Sequence, residues 1–282
     1  MIEIRDLSIR FGPYRAVDGL DLTVAAGELF GFLGPNGAGK TTTIRALTGA
    51  LSPSSGTIRV AGCDLPRQFR ALKPKLGYIP DLDTHYEDLT GRENLRLYAR
   101  LRGVDPDAVP AWLAKVELSE AADLRVKSYS RGMKKKLLIA RELLHAPVAL
   151  FLDEPTANLD RHSIGLVHGL LREQAAAGTT IFLTTHDMDE VDALCDRVAL
   201  MRRGRLLALD TPARLVAAHA QRWCDLQVER DGRTERLSVR LEDADARAGA
   251  AALLREHAHV RIHTREPSFE QAFRELTREA AA

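Results

Sequence analysis

One stretch, Gly34-Pro35-Asn36-Gly37-Ala38-Gly39-Lys40-Thr41-Thr42, constrains this chain more than any other part of it. It fits the pattern G-x-x-x-x-G-K-[ST], a loop that wraps phosphate groups. Ahead of it, Leu29-Phe30-Gly31-Phe32-Leu33 has the length and composition of a buried strand. Behind it, Thr41–Thr48 contains neither glycine nor proline and reads as a helix that ends near Gly49. Strand, glycine loop and helix are what anion binding requires. Asn36, Gly37, Ala38 and Gly39 curl the backbone N–H groups around a phosphate, and the helix amino end adds partial positive charge. Lys40 is placed to reach the β- and γ-phosphates of a nucleoside triphosphate, the Thr41 hydroxyl to ligate Mg²⁺, and Thr42 to continue the cradle.

A second anchor is Val148-Ala149-Leu150-Phe151-Leu152-Asp153-Glu154, five apolar residues followed by two acids. The run reads as a strand buried on both faces with its carboxylates at the carboxyl end, where open α/β sheets bind ligands. Beside a phosphate loop, Asp153 suits Mg²⁺ and Glu154 suits orienting or deprotonating an attacking water; the competing reading is a turn at Asp-Glu-Pro. Thr179–Thr184 is a further buried strand, and its end at Thr185-His186-Asp187 makes His186 a catalytic candidate rather than a structural histidine.

The remaining segments organise around these anchors. Ile2/Ile4 and Leu7/Ile9 alternate on either side of Asp6, and Leu20/Leu22/Val24 alternate again, giving a β-rich entry. Phe11 stands between those strands, where spacing alone favours a core position over an exposed ring that stacks on a base. Leu76–Asp81 reads as a strand running into a loop. From about 82 to 145 the texture is helical, with Leu95/Tyr98/Leu101 and Trp112/Leu113/Val116 as apolar positions. Val198–Met201 and Leu206–Leu209 flank Arg203-Gly204 as a hairpin, and Thr211–Ala220 reads as a helix closing a first domain at about residue 221. Residues 222–282 form a smaller unit: strands around Asp231-Gly232, a helix over 243–256, a strand at Val260–Ile262 and a helix from Ser268 to Arg278. His257, His259 and His263 lack a carboxylate or cysteine to complete a metal set, and a solvated strand face accounts for His259 and His263.

Composition narrows the function classes. A net charge of +1 gives no global field for nucleic acid, and no nucleic acid partner is expected. Three scattered cysteines fit a reducing cytosol. No signal peptide is visible at the start, and no run approaches the ~20 apolar residues that span a bilayer. A membrane role would therefore need another subunit.

The spacing of these motifs resembles the ATP-binding cassette (ABC) family of transporter nucleotide-binding subunits, over essentially the whole chain. Gly34–Thr42 is similar to its Walker A motif and Val148–Glu154 to Walker B with the catalytic glutamate. Tyr129-Ser130-Arg131-Gly132-Met133 occupies the place of the L-S-G-G-Q signature, Asn158-Leu159-Asp160 that of the D-loop, and His186 that of the switch histidine. Phe11 falls at the family's adenine-stacking aromatic, and Asp81 at the Q-loop, where most relatives carry Gln. The Y-S-R-G-M signature, the acidic Q-loop and Pro267-Ser268-Phe269-Glu270-Gln271-Ala272-Phe273 resemble ABC-2-type exporters of the daunorubicin-resistance and sodium-efflux kind.

The resemblance implies an α/β P-loop fold, with a RecA-like core, a β subdomain and a helical subdomain, plus a small α+β C-terminal domain. It implies an ATPase with ATP and Mg²⁺ as cofactors. Lys40, Thr41, Asp81 and Asp153 would hold Mg-ATP in one protomer of a head-to-tail dimer of identical or different cassettes, while Ser130 and Gly132 of the other close over the γ-phosphate. Glu154 and His186 would carry hydrolysis. A separate transmembrane permease would hold the chain, peripheral and cytoplasmic, on the inner face of the membrane. The alternative is a soluble ABC ATPase acting on the ribosome or DNA; a single cassette without sustained heptads points away from it.

Overall fold

The computed structural model describes residues 1–82, 84–219, 223–230, 233–241, 243–256, 260–265 and 268–279. They form two compact units, Met1–Leu209 and Asp210–Ala282. The first runs β1 (Ile2–Phe11), β2 (Tyr14–Val24), β3 (Leu29–Leu33), α1 (Lys40–Leu47), β4 (Ser55–Val60), β5 (Cys63–Leu65), α2 (Phe69–Leu72), β6 (Leu76–Ile79), α3 (Gly91–Arg102), α4 (Val109–Lys115), α5 (Arg131–Leu143), β7 (Ala149–Asp153), α6 (Arg161–Ala176), β8 (Thr180–Thr185), α7 (Met188–Leu194), β9 (Arg197–Arg202) and β10 (Arg205–Asp210). The second runs α8 (Pro212–His219), β11 (Trp223–Arg230), β12 (Arg233–Arg240), α9 (Ala244–Glu256), β13 (Val260–Arg265) and α10 (Phe269–Glu279).

A six-stranded sheet of order β10-β9-β3-β8-β7-β6 is the frame of the first unit. Its strands β6, β7, β8, β3 and β9 pair in parallel. Every residue of β3, β7 and β8 is buried, because parallel strands are covered on both faces. The two faces differ in chemistry. Phe30, Phe32, Phe151 and Phe182 point to one side, with Phe182 stacked or tilted 5.2–5.9 Å from the other three rings. There they meet α1 and the antiparallel sheet β2-β1-β4-β5. Leu29, Leu150, Leu152, Ile181 and Leu183 point to the other side, into a core shared with α3, α4, α5 and α6.

Several local readings change. The apolar pairs on either side of Asp6 belong to one strand, β1, which carries a register shift where Asp6 takes a φ of 45°. The close approach of Gly56 supports the kink, since a Cβ there would sit 2.3 Å from the Asp6 carbonyl oxygen. Val148 precedes β7 and is 40% exposed rather than part of the buried run. Leu101 is 67% exposed: on a helix Leu95 shares its inner face with Ala99, four residues on, not with a residue six on. Thr90 and Glu93 close α3 with a capping box, a signal present in Thr-x-x-Glu that the helix reading left unused.

In the second unit β11 pairs antiparallel with β12 and β13. Phe269, Ala272 and Leu276 of α10 are buried, and α10 packs on α8. Helix α8 thus belongs with the second unit, so the junction at Leu209/Asp210 precedes the boundary expected near residue 221. Asp231-Gly232, His257 and His259 lie outside the described residues; His263 is exposed on β13.

Candidate nucleotide site

The glycine loop joins the carboxyl end of β3 to α1. Two of its glycines are dictated by close packing: a Cβ on Gly34 would lie 2.3 Å from the Met201 carbonyl oxygen, and one on Gly39 would lie 2.4 Å from that of Ala16. Gly204 N–H donates to the Ala38 carbonyl at 3.0 Å, so the β9–β10 turn clamps the loop from behind. The crest at Pro35, Asn36 and Gly37 stays exposed, free to receive a ligand. Lys40 is the first residue of α1, and its ammonium folds over the loop to donate to the carbonyls of Gly34 (2.5 Å) and Pro35 (3.4 Å). Burial lowers the Lys40 pKa, and the carboxylates of Glu154 and Asp153 pull it back up.

Thr41 Oγ1 donates to Asp153 Oδ2 at 3.0 Å, and Thr184 Oγ1 donates to Asp153 Oδ1. A hydroxyl and a carboxylate side by side are hard oxygen donors, and they fit a small divalent cation that takes its remaining ligands from phosphate and water. Thr184 was not singled out in the sequence; its signal was its place next to the end of a strand beside Asp153's own.

Glu154 follows β7 with a φ of 52°, an uncommon conformation for a residue with a side chain, and its N–H donates to the Thr184 carbonyl at 3.0 Å. His186, just after β8, places Nδ1 2.7 Å from Glu154 Oε2. Burial raises the Glu154 pKa above the ordinary glutamate value, while His186 and Lys40 act to lower it. A carboxylate made more basic by burial and oriented by an imidazole is equipped to take a proton from water.

Phe11 is 51% exposed, so it is not a core residue; its cross-strand partner Tyr14 is 56% exposed. Tyr14 donates its hydroxyl proton to the Gly37 carbonyl at 3.3 Å, which puts a second ring beside the loop. Ser130 caps α5 by accepting from Met133 N–H at 3.2 Å, and Gly132 lies in the first turn. Neither makes a described contact with the Lys40, Thr41, Asp153, Glu154 and His186 cluster.

Asp81 also stays apart from that cluster. It is exposed beyond β6, and none of the described hydrogen bonds joins it to Thr41 or Asp153. Instead its loop is strapped to α5. Lys135 Nζ donates to the carbonyls of Pro80 (3.1 Å) and Asp81 (3.0 Å), Arg141 donates to that of Thr84, and His85 Nε2 lies 2.9 Å from the Lys134 carbonyl.

Residues 17–157 match the ABC transporter family. The chain belongs to that family. It is 42% identical to Nod factor export ATP-binding protein I of Paraburkholderia xenovorans, over 80% of this chain and 75% of that protein. It is 38% identical to a fluoroquinolones export ATP-binding protein of Mycobacterium tuberculosis, over 98% of this chain and 93% of the relative. A solved ATP-binding subunit of an ABC transporter superposes with a TM-score of 0.72 at 30% identity, covering 77% of this chain and 92% of its own. An ATP-binding cassette solved as a dimer with ADP and Pi shares the fold, with a TM-score of 0.67 over 75% of this chain and 98% of its own. The fold is the ABC cassette, and the chain is an ATP-binding and hydrolysing subunit of the kind that powers transport. No helix among the described residues is long and apolar enough to cross a membrane.

Proposed function

We propose that this cassette drives export through a separate transmembrane permease, by ATP-dependent head-to-tail pairing with a second cassette. Export-associated relatives over most of the chain support the direction. The observation that carries the mechanism is the Glu154–His186 bond at the carboxyl end of β7 and β8, beside Lys40 and the Thr41–Asp153 pair.

Lys40 and the N–H groups of residues 36–42 bind the β- and γ-phosphates, with Phe11 against the base. Thr41 and Asp153 would hold Mg²⁺, with Asp81 as a further candidate oxygen donor, and a cation bound there would supply positive charge to the phosphates. Glu154 accepts the proton of the attacking water. His186 fixes the Glu154 carboxylate and reaches toward the γ-phosphate. Ser130 and Gly132 of the second cassette offer a hydroxyl, an N–H and a helix amino end to the same phosphate. Phosphoryl transfer needs mainly positioning and charge stabilisation, so closure of the pair completes the site. The C-terminal unit supports pairing or regulation, and deletion of residues 223–282 weakens ATP-dependent dimerisation while leaving nucleotide binding intact; unchanged dimerisation would remove that role.

Light scattering after size exclusion tests the proposal on Glu154→Gln. A shift from monomer to dimer that requires Mg-ATP, together with loss of phosphate release by ~10²-fold or more, is the expected result. Undiminished turnover would remove Glu154 from the mechanism.

A further inference from the structure

Glu190 lies on α7, four residues beyond His186, with its side chain only 1% exposed. Among the described residues, neither of its carboxylate oxygens has a hydrogen-bond donor. The opposite group is His168 on α6: its Nε2 stands 3.5 Å from Glu190 Oε1 and makes no hydrogen bond among the described residues either. A buried carboxylate is expensive unless paired, and replacing such a pair by apolar residues often stabilises a protein. Stability therefore gives a poor account of this pair, and its position gives a better one.

Helix α6 begins at its cap Asp160, the last residue of the Asn158-Leu159-Asp160 turn. Helix α7 begins at its cap Asp187, the residue after His186. The two helices pack together, and the pair bridges them about two turns inside α6 and one turn inside α7. We propose that Glu190 and His168 are a positioning pair: by holding α7 to α6 they place the His186 imidazole on Glu154 and tie that placement to the turn that begins α6. The inference rests on the hydrolytic reading of Glu154 and His186 given above. Burial is the main cause of the raised Glu154 pKa, and Glu190 adds to it in the same direction.

The test uses the full chain and compares ATP turnover of Glu190→Gln, His168→Gln and the double variant. Each single change lowers kcat about tenfold with KM for ATP within about twofold, and the double is no worse than either single, the behaviour of residues acting as one unit. The NMR resonances of the His186 imidazole shift in both singles. Additive losses, a change in KM alone, or an unmoved His186 resonance would overturn the pair's role. If Glu190→Gln does not fold, His168→Gln decides the matter, since that side chain already reaches the surface at 12% exposure. Glu154→Gln serves as the control. Loss of turnover there with normal kcat in the pair variants sinks this inference alone; retained turnover there sinks the hydrolytic reading, and the His186 resonance then judges the pair by itself.

Discussion

The carboxyl edge of the six-stranded sheet and the amino end of α5 both present phosphate-binding chemistry, yet they are finished to different degrees. At the sheet edge the functional groups are already bonded to one another: Lys40 to its own loop, Thr41 and Thr184 to Asp153, His186 to Glu154. At α5 the Ser130 hydroxyl does no more than cap its own helix, and Gly132 offers only backbone. In the proposed pairing, one chain thus holds a preorganised half-site and a bare one. Preorganisation lowers the reorganisation needed at reaction, whereas a bare helix end gains its value from whatever docks on it. Changes at the sheet edge should damage a single chain's chemistry; changes at α5 should be nearly silent until two chains meet.

The largest effect expected from that contrast is at Asp153. Asp153→Asn leaves one oxygen to accept from two hydroxyls and removes an anionic cation ligand, so turnover should fall about 100-fold or more in a phosphate-release assay. Next is Gly132→Ala. A Cβ there meets nothing closer than a Leu159 methyl at 3.5 Å, so the unfolding free energy should shift by less than about 1 kcal/mol in either direction. In a Glu154→Gln background the same methyl should weaken Mg-ATP-dependent dimerisation about tenfold, the cost of an extra methyl in a packed interface. A destabilised monomer with normal dimerisation would erase the distinction between the two half-sites.

A third effect is read in pH. Burial holds the Glu154 pKa above its unfolded value of about 4.5, so native stability from this group is present at low pH and lost as pH rises through the folded pKa. Glu154→Gln should accordingly gain Tm relative to the wild type as pH is raised across that window. Because His186 lowers the Glu154 pKa, His186→Ala should move the acid limb of the kcat profile to higher pH. The smallest effect is at Tyr14. Tyr14→Phe removes an exposed neutral hydrogen bond to the loop crest, and KM for ATP should rise less than about threefold.

Much of this arrangement was legible in the sequence, because it rests on local signals. The glycine loop, the apolar run ending in Asp153-Glu154 and the strand ending at His186 each announce a strand terminus, and parallel pairing brings such termini together. Features that depend on three-dimensional neighbours were not legible. Thr184 matters only because β8 lies against β7, and Tyr14 only because β2 turns back toward the loop. Spacing gave Phe11 to the core, since alternation in β1 is broken at Asp6 and cannot be extended to the strand's end. Helix α8 looked like the tail of the first unit because a helix's partner, here α10 some fifty residues later, leaves no mark on its own sequence.

The strap between the loop after β6 and α5 has a consequence for how this family can vary. On the loop side the acceptors at Pro80, Asp81 and Thr84 are all main-chain carbonyls. Ties at residues 80, 81 and 84 do not read loop side chains, His85 alone contributing one, so residue 81 can change from amide to carboxylate while the linkage to the helix of Ser130 persists. The helix side has less latitude: Lys135 and Arg141 supply donors to three of the loop carbonyls, and substitutions there would loosen the loop whatever residue stands at 81. Position 81 is thus one where the strap tolerates a change of side chain, and Lys135, one turn into α5, is where that tolerance ends.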